Sequence, residues 1–292
     1  MFTGLSAFPL TPADTDGVVQ VDQLQRLVAR LEGTGVTSVG LLGSTGTYMF
    51  LTRGERLRAV RAAREALTGL PLIVGVGAMR TDEAIALAQD AEVAGADALL
   101  MAPVSYNPLT VEEAFQHYSA VAEATRLQIC IYNNPGTTSF SFSKDLLVRL
   151  SGIANFKAVK MPLAASGDYT GELADLRSAL PRDLEIGYSG DWGLADALLG
   201  GARSFYSSIA GTLPEPLMAL SEACLAGKAE EARVLDRKLA PFWELCKAHG
   251  SLRVAQCLAQ ELGLVTTSLP RPLLDLEGAD RDEVRSVLER LE

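Results

Sequence analysis

The chain has 292 residues and a formal net charge of −10, and 48 % of its residues are hydrophobic while 21 % are charged. These proportions are typical of a compact globular enzyme and exclude a disordered or fibrous chain. Nucleic acids and anionic membranes bind basic surfaces, so the acidic balance argues against either as a partner.

The few potential metal ligands are scattered along the sequence. The chain contains four cysteines without a CxxC spacing and two histidines. We therefore expect no metal site. The N-terminus shows no basic segment followed by a long apolar run, and no stretch of about 18 apolar residues occurs. These features predict a cytoplasmic protein without a membrane segment.

Short apolar runs alternate with longer amphipathic segments, which is typical of repeated βα units. Eight strands are predicted at residues 4–9, 38–42, 72–76, 98–101, 128–132, 156–161, 185–188 and 203–207. Between them, apolar residues three and four apart predict helices, for example at 21–32, 53–67, 82–94 and 111–124.

Three glycines recur where a predicted helix gives way to a strand: Gly35, Gly95 and Gly201. Glycine at such a point supplies the left-handed conformation that ends a helix sharply. Eight strand and helix pairs close most simply as a (β/α)₈ TIM barrel, an α/β fold. We expect this barrel over residues 1–212. Residues 213–292 show no strand pattern and predict three or four helices packed on the barrel.

Lys160 stands near the end of the predicted sixth strand, in an apolar segment. A lysine there is more often a solvated residue at the barrel rim. If Phe156, Ala158 and Lys160 face the interior, strand alternation turns Lys157 outward. Burial of a lysine disfavours its charged form, and the resulting free amine is a nucleophile for a 2-oxo acid, with which it forms a Schiff base. We predict that Lys160 is catalytic.

The active site of a (β/α)₈ barrel lies at the carboxyl ends of its strands. After the second strand come Ser44, Thr45 and Gly46, which form either an ordinary turn or a cradle of hydroxyls and backbone N–H groups for a carboxylate. Tyr132 ends the fifth strand, about 4.8 Å from the sixth. It is either a structural tyrosine or a proton relay beside Lys160.

The remaining strand ends supply the other predicted substrate contacts and pocket walls: Ser105, Tyr106, Ser189, Tyr206 and Ile209. Asp191 is interpreted as the N-cap of a helix that begins near Trp192, because aspartate is favoured at that position.

The motifs Gly-Ser-Thr-Gly at 43–46, Tyr-Asn-x-Pro at 132–135 and Val-Lys-x-Pro at 159–162 follow one another in register on strands two, five and six. This order resembles the dihydrodipicolinate synthase and N-acetylneuraminate lyase family of class I aldolases, over nearly the whole chain. The resemblance implies a barrel with a helical extension, usually a homotetramer, in which Lys160 forms a Schiff base with pyruvate. It also implies that Tyr132 relays protons, and that Ser44 and Thr45 bind the pyruvate carboxylate and support the tyrosine.

The sequence departs from that family at the second-substrate site. In synthases of the lysine pathway an arginine follows the Tyr-Asn-x-Pro motif and binds the carboxylate of the aldehyde, whereas this chain has Gly136, Thr137 and Thr138 there. Thr47 replaces the usual glutamate, and Ser105 takes the place of one of two paired tyrosines. We therefore predict a Schiff-base lyase or aldolase that acts on pyruvate or a longer 2-oxo acid, by aldol chemistry or by dehydration of a keto-deoxy sugar acid.

Three alternatives remain. The first is a 4-hydroxy-tetrahydrodipicolinate synthase, which condenses pyruvate with aspartate semialdehyde. The second is a catalytically lapsed barrel that binds a small 2-oxo acid. The third, a metal-dependent aldolase, is disfavoured by the shortage of histidines. In the main prediction the protonated imine is the electron sink, so no cofactor is needed, and the partners are a small 2-oxo acid and further copies of the chain in a homotetramer or homodimer.

Overall fold

A computed structural model describes residues 1–291, in which eight parallel strands close into a barrel in chain order. The strands are β1 Gly4–Ala7, β2 Ser38–Leu41, β3 Leu72–Gly75, β4 Ala98–Met101, β5 Gln128–Tyr132, β6 Phe156–Met161, β7 Glu185–Ser189 and β8 Ser204–Ser207. The predicted fold class is confirmed. Strand β1 ends two residues before Pro9, which has no N–H to continue the ladder.

Helices follow the strands on the outside of the barrel. Their bounds are α1 Val21–Ala29, α2 Arg53–Ala66, α3 Thr81–Val93, α4 Val111–Glu123, α5 Pro135–Thr138, α6 Lys144–Ser151, α7 Tyr169–Ala179, α8 Leu194–Leu199, α9 Pro214–Leu225, α10 Ala229–His249, α11 Ser251–Glu261 and α12 Gly278–Glu289. Short 3₁₀ turns occur at Tyr48–Phe50, Asp191–Gly193 and Ile209–Gly211.

The barrel has two hydrophobic cores. Ile73, Leu100, Cys130 and Tyr206 belong to a smaller cluster inside the barrel. A larger cluster fills the layer between strands and helices. Strands covered on both faces read as continuous apolar runs, which explains why the eight strands stand out in the sequence.

Two of the three glycines end helices as predicted. Gly95 and Gly201 have φ values of +88° and +105°. In each case the next residue, Ala96 or Ala202, donates its N–H to a carbonyl five residues back, at 2.9 Å and 3.0 Å. This bond is that of the Schellman motif. Gly35 has a φ of +97°, but it lies in the turn beyond the end of α1 and does not cap that helix directly.

The register between β5 and β6 shifts at Ile129 and Cys130, so that Ile129 pairs with Phe156 and Cys130 with Ala158. The irregularity turns Phe156 outward, where its ring lies 6.0 Å from that of Tyr118 on α4. The prediction that Phe156 faces the interior was therefore wrong. Ala158 does belong to the interior cluster.

Four helices follow β8, and residues just outside them form hydrogen bonds with α1 and the residue after it. Arg30 donates from Nη1 to the carbonyl of Thr212 at 3.3 Å, and Gln23 donates from Nε2 to Thr266 Oγ1 at 3.2 Å. The start of α11 reaches the carboxyl end of the barrel. Within residues 1–291, no helix has the length and apolar character that crossing a membrane requires.

The turn after β2 depends on a glycine in the neighbouring strand. Leu42 has a φ of 57°, a left-handed conformation that is unusual for a leucine. A Cβ on Gly75 would lie 1.8 Å from the Leu42 carbonyl oxygen. Only a residue without a side chain allows this approach, and the turn leads directly into Gly43 and Ser44.

Replacing Gly75 by alanine should therefore displace the Leu42 carbonyl and the turn beyond it. We expect Gly75→Ala to lower the free energy of unfolding by about 1–3 kcal/mol, the usual cost of overpacking. Urea unfolding monitored by circular dichroism measures this change.

The matched control is Gly54→Ala. Gly54 lies in α2, and a Cβ there would be 3.9 Å from its nearest neighbour, Thr52 Oγ1. This variant should be neutral or up to about 1 kcal/mol more stable, because alanine is the better helix former. Equal stability of the two variants would contradict the role given to Gly75.

Candidate active site

Lys160 lies inside the barrel near the carboxyl end of β6. It pairs in register with Tyr132 on β5 and with Gly187 on β7. Its exposed fraction is 5 %. The ammonium nitrogen Nζ lies 4.1 Å from the ring centroid of Phe8, 4.2 Å from that of Tyr132 and 5.7 Å from that of Tyr206.

Aromatic faces surround Lys160 in place of a counter-ion. Within residues 1–291 it forms no salt bridge, whereas the neighbouring Lys157 pairs with Asp183 Oδ2 at 2.7 Å on the outside of the barrel. The prediction that these two lysines face opposite sides is confirmed. The amine of Lys160 lines a cleft, and an amine in such a position is a candidate nucleophile.

The hydroxyl of Tyr132 is held from two sides. Asn134 donates from Nδ2 to Tyr132 Oη at 2.8 Å, and Ser44 Oγ lies 3.4 Å from the same oxygen. Because Asn134 occupies one acceptor position, the phenolic proton is free to point toward Ser44 or a bound reactant. Asn134 was not among the predicted site residues, although its place in the Tyr-Asn-x-Pro motif was visible.

The turn after β2 contributes hydroxyl groups. Thr45 Oγ1 lies 2.7 Å from Ser208 Oγ, a residue that the sequence did not single out. Gly46 does not line the cleft. A Cβ at Gly46 would lie 3.0 Å from Leu42 Cα and from Thr11 Oγ1, so its small size serves the packing of the turn.

These groups lie at the floor of a cleft of about 820 Å³. The floor holds Lys160, Tyr132, Ser44 and Thr45, together with Phe8 from the end of β1. The upper walls come from segments far apart in the sequence: Thr137, Leu163, Ala164, Ala165, Ser189, Trp192, Ser251 and Leu252. A cleft of this size holds two small reactants.

Of the predicted contacts, Ser189 lines this cleft, and its hydroxyl donates to the Met161 carbonyl at 3.1 Å. Tyr206 and Ile209 do not line it. Both are buried, at 2 % and 0 % exposure. Tyr206 lies lower in the barrel, where Cys130 Sγ is 3.6 Å from its hydroxyl. These two residues support the floor and do not form a wall.

The loop after β4 contributes no side chain to the lining of the cleft. Tyr106 is 91 % exposed, and neither it nor Ser105 lines the cleft. The Ser105 hydroxyl is buried without a partner among the described residues. Contact of these two side chains with substrate stays a prediction.

Asp191 does not cap a helix, contrary to our interpretation. The 3₁₀ turn begins with Asp191 itself, and Gly190 precedes it in the cap position. The carboxylate instead turns inward, where it accepts from the Ser207 hydroxyl and from the Ile209 N–H at 3.4 Å. Burial raises the pKa of the Asp191 carboxyl, while these hydrogen bonds and the charge of Lys160 oppose that rise.

The cysteines are packing residues. All four are free and buried. Burial raises the pKa of the Cys130 thiol to about 12, so this nearest thiol to the site is protonated at neutral pH. No cluster of three or more histidine, cysteine or carboxylate side chains that suits a metal ion occurs in the described part of the chain.

Comparison with known proteins identifies the family to which this chain belongs. The model of the dihydrodipicolinate synthetase family matches residues 1–291. A 4-hydroxy-tetrahydrodipicolinate synthase of Stutzerimonas stutzeri is 30 % identical over 293 residues, which is 99 % of this chain and 98 % of the relative.

Similar solved structures lead to the same family. The crystal structure of a dihydrodipicolinate synthase from Agrobacterium tumefaciens is 56 % identical with a TM-score of 0.98, and the match covers 100 % of this chain and 98 % of that one. A dihydrodipicolinate synthase from Acinetobacter baumannii, solved in complex with pyruvate, is 29 % identical with a TM-score of 0.88 and 99 % coverage of both chains. The chain belongs to the dihydrodipicolinate synthetase family and is an enzyme, a lyase of that family.

Proposed function

We propose that Lys160 forms a Schiff base with C2 of pyruvate, and that the enzyme catalyses a reversible aldol reaction between the resulting enamine and an aldehyde. The observation that carries this proposal is the pairing of a buried, unpaired amine with a positioned phenol. Lys160 Nζ lies 4.2 Å from the Tyr132 ring, and the Tyr132 hydroxyl is held by Asn134 and Ser44.

The first step is attack of the neutral Lys160 amine on C2 of pyruvate. The carbonyl oxygen takes a proton from the Tyr132 hydroxyl and becomes the hydroxyl of a carbinolamine. Tyr132 regains a proton from the amine nitrogen and passes it to this hydroxyl, which leaves as water, and the protonated imine remains. Tyr132 suits this relay because its proton is not needed for the bond from Asn134, in which the tyrosine oxygen is the acceptor.

The hydroxyls of Ser44 and Thr45 suit the pyruvate carboxylate. Both line the floor of the cleft beside Lys160, and the adjoining turn supplies backbone N–H groups, which bind anions. The bond between Thr45 and Ser208 at 2.7 Å fixes one of these hydroxyls before substrate arrives. The carboxylate then lies where C2 can reach the amine.

The protonated imine withdraws electrons from C3, and transfer of a C3 proton to the Tyr132 phenolate gives the enamine. The enamine carbon attacks the aldehyde carbon, and hydrolysis of the imine releases a 4-hydroxy-2-oxo acid. The reverse sequence is aldol cleavage. The imine serves as the electron sink, so the reaction needs no additional cofactor.

A second, narrower candidate is 4-hydroxy-tetrahydrodipicolinate synthase. The names of the similar proteins, at 30 % and 56 % identity, favour this assignment over a general aldolase or a sugar-acid dehydratase. It shares every step up to the enamine with the proposal above, and differs only in the aldehyde. A catalytically lapsed barrel that only binds a 2-oxo acid is the least supported alternative. A binding site of that kind needs neither a nucleophile nor a proton relay.

We also propose that the chain assembles as a homotetramer or homodimer. Apolar side chains are exposed after three consecutive strands: Met49 at 43 %, Phe50 at 40 %, Met79 at 61 % and Tyr106 at 91 %. Exposed apolar groups that follow neighbouring strands favour contact with another copy. The cytoplasmic location expected from the sequence stays a prediction.

Sedimentation velocity tests the assembly. The wild type should sediment at two or four times the chain mass of 31.1 kDa, and Tyr106→Glu should lower that mass because a charge cannot be buried without a partner. The control is Val93→Glu, since Val93 is 82 % exposed at the end of α3, on the opposite side of the barrel. A wild type that sediments as a monomer would contradict the proposal.

Borohydride reduction in the presence of pyruvate tests the imine. We expect a covalent adduct on the peptide that contains Lys160, seen by intact mass and peptide mapping, and no adduct in Lys160→Ala. Lys157→Ala is the matched control and should form the adduct normally, since Lys157 lies outside the barrel with Asp183. An adduct on Lys157, or none on the folded wild type, would exclude Lys160 as the Schiff-base residue for pyruvate.

Removal of the Tyr132 hydroxyl tests the relay. Tyr132→Phe keeps the ring against Lys160 but should slow imine formation and turnover by about 10²- to 10⁴-fold, the usual contribution of general acid–base catalysis. Tyr188→Phe is the control, because that hydroxyl donates to Glu172 at 2.8 Å behind the barrel wall. Stopped-flow measurement of imine formation should separate the two variants, and equal rates would remove Tyr132 from the mechanism.

A further inference from the structure

A pocket that contains three arginines lies at the amino ends of β7 and β8. Its volume is about 330 Å³, and it is lined by Leu173, Arg177, Arg182, Ile186, Gly201 and Arg203. Arg182 precedes β7, and Arg203 comes directly before β8. Because the candidate active site lies at the carboxyl ends of the strands, this pocket is at the opposite end of the barrel.

Two of the arginines are held in place by their neighbours. Arg177 donates from Nη1 to the Leu184 carbonyl at 2.5 Å, and Arg203 donates from Nη2 to Glu185 Oε2. A guanidinium group has five N–H donors, so both side chains keep donors for a further acceptor. The fold therefore positions two guanidinium groups at the pocket before any ligand arrives.

The pocket carries an excess of positive charge. Glu185 is 6 % exposed, and it pairs with Arg203 and, at 3.9 Å, with Arg177. Arg182 is exposed and forms no salt bridge within residues 1–291. Three guanidinium groups against one carboxylate leave two positive charges in excess.

Other carboxylates near the pocket in sequence do not cancel this excess. Asp175 and Asp183 each pair with a lysine, at 2.6 Å and 2.7 Å, so neither pair adds net charge. Glu172 lies in the first turn of α7 and accepts from the hydroxyl of Tyr188, toward the carboxyl end of β7. The local charge is thus opposite in sign to the net charge of −10 of the whole chain.

A phosphate group matches this charge and these donors. It carries about 1.5 to 2 negative charges at pH 7, against one for a carboxylate. Guanidinium groups bind phosphate oxygens through paired N–H donors, and such charged hydrogen bonds are stronger than neutral ones. A protein with a negative net charge repels anions, so it binds one only where the local field is positive.

We propose that this pocket binds a phosphate group, either as free phosphate or as part of a small phosphate monoester. Arg177 and Arg203 donate to its oxygens from positions that the fold determines, and Arg182 supplies a charge that no carboxylate of the described chain offsets. Leu173 and Ile186 give the pocket an apolar side, which suits the carbon part of a monoester. The site is separate from the chemistry proposed for Lys160 and does not depend on it.

Titration of the full-length enzyme with inorganic phosphate, followed by phosphorus NMR at low ionic strength, tests the site. We expect saturable binding by the wild type. Arg182→Gln should raise the dissociation constant by about fivefold, because the lost charge lies in a solvent-exposed site. This variant should fold normally, since Arg182 holds no other side chain in a salt bridge. Absence of saturable binding, or equal binding by Arg182→Gln, would overturn the proposal.

The matched control is Arg61→Gln. Arg61 is exposed on α2, and α2 and α7 follow strands β2 and β6, which lie on opposite sides of the closed barrel. The control removes the same charge from the chain and should bind phosphate as the wild type does. An equal loss of affinity in both variants would show that net charge, and not the pocket, determines binding.

Glycerol 3-phosphate distinguishes the two sources of the phosphate group. Tighter binding of this ester than of inorganic phosphate would assign the site to a monoester, and the reverse order would assign it to free phosphate. Either order supports the site when Arg182→Gln weakens binding.

Competition with pyruvate separates the pocket from the cleft. An excess of pyruvate should not displace phosphate, because the cleft lies at the other end of the barrel. Displacement would place the bound phosphate in the cleft and contradict the proposal, whereas the Schiff base on Lys160 is tested independently by borohydride trapping.

Discussion

The candidate active site depends on the lateral pairing of Tyr132 and Lys160 across two adjacent barrel strands. The strand ladder sets the distance between the two residues, so the phenol and the amine meet without any flexible segment between them. The rings of Phe8 and Tyr206 also lie close to the Lys160 amine, so aromatic side chains surround it. The proposed nucleophile and the proposed proton relay are thus part of the barrel wall itself.

The strained turn after β2 supplies the other half of the site. Leu42 takes a left-handed conformation because Gly75 leaves room for its carbonyl, and the turn then brings Ser44 to Tyr132 and Thr45 to Ser208. Backbone strain of this kind persists only where the surrounding structure holds it. The close packing of Gly75 against Leu42 therefore determines where the hydroxyls of Ser44 and Thr45 lie.

The floor and the upper walls of the cleft come from different parts of the fold. The motifs that resemble the family lie on the floor formed by the strand ends, where we propose that the imine forms. The upper walls include Leu163, Trp192 and Leu252, which belong to three separate segments of the chain. Relatives at 30 % identity can thus share the first half of a reaction while the second substrate differs, because loop residues vary without altering the barrel.

The sequence alone determined the barrel, the eight strands and the inward direction of Lys160, because strand alternation and apolar runs are local patterns. Tertiary structure decided what depends on contacts between distant segments: the Asn134 and Ser44 bonds to Tyr132, the inward turn of Asp191 and the apolar walls of the cleft. The outward turn of Phe156 comes from a register shift that alternation cannot reveal. Local patterns specify which elements form and which face they bury, whereas the packing of those elements places the side chains that select a substrate.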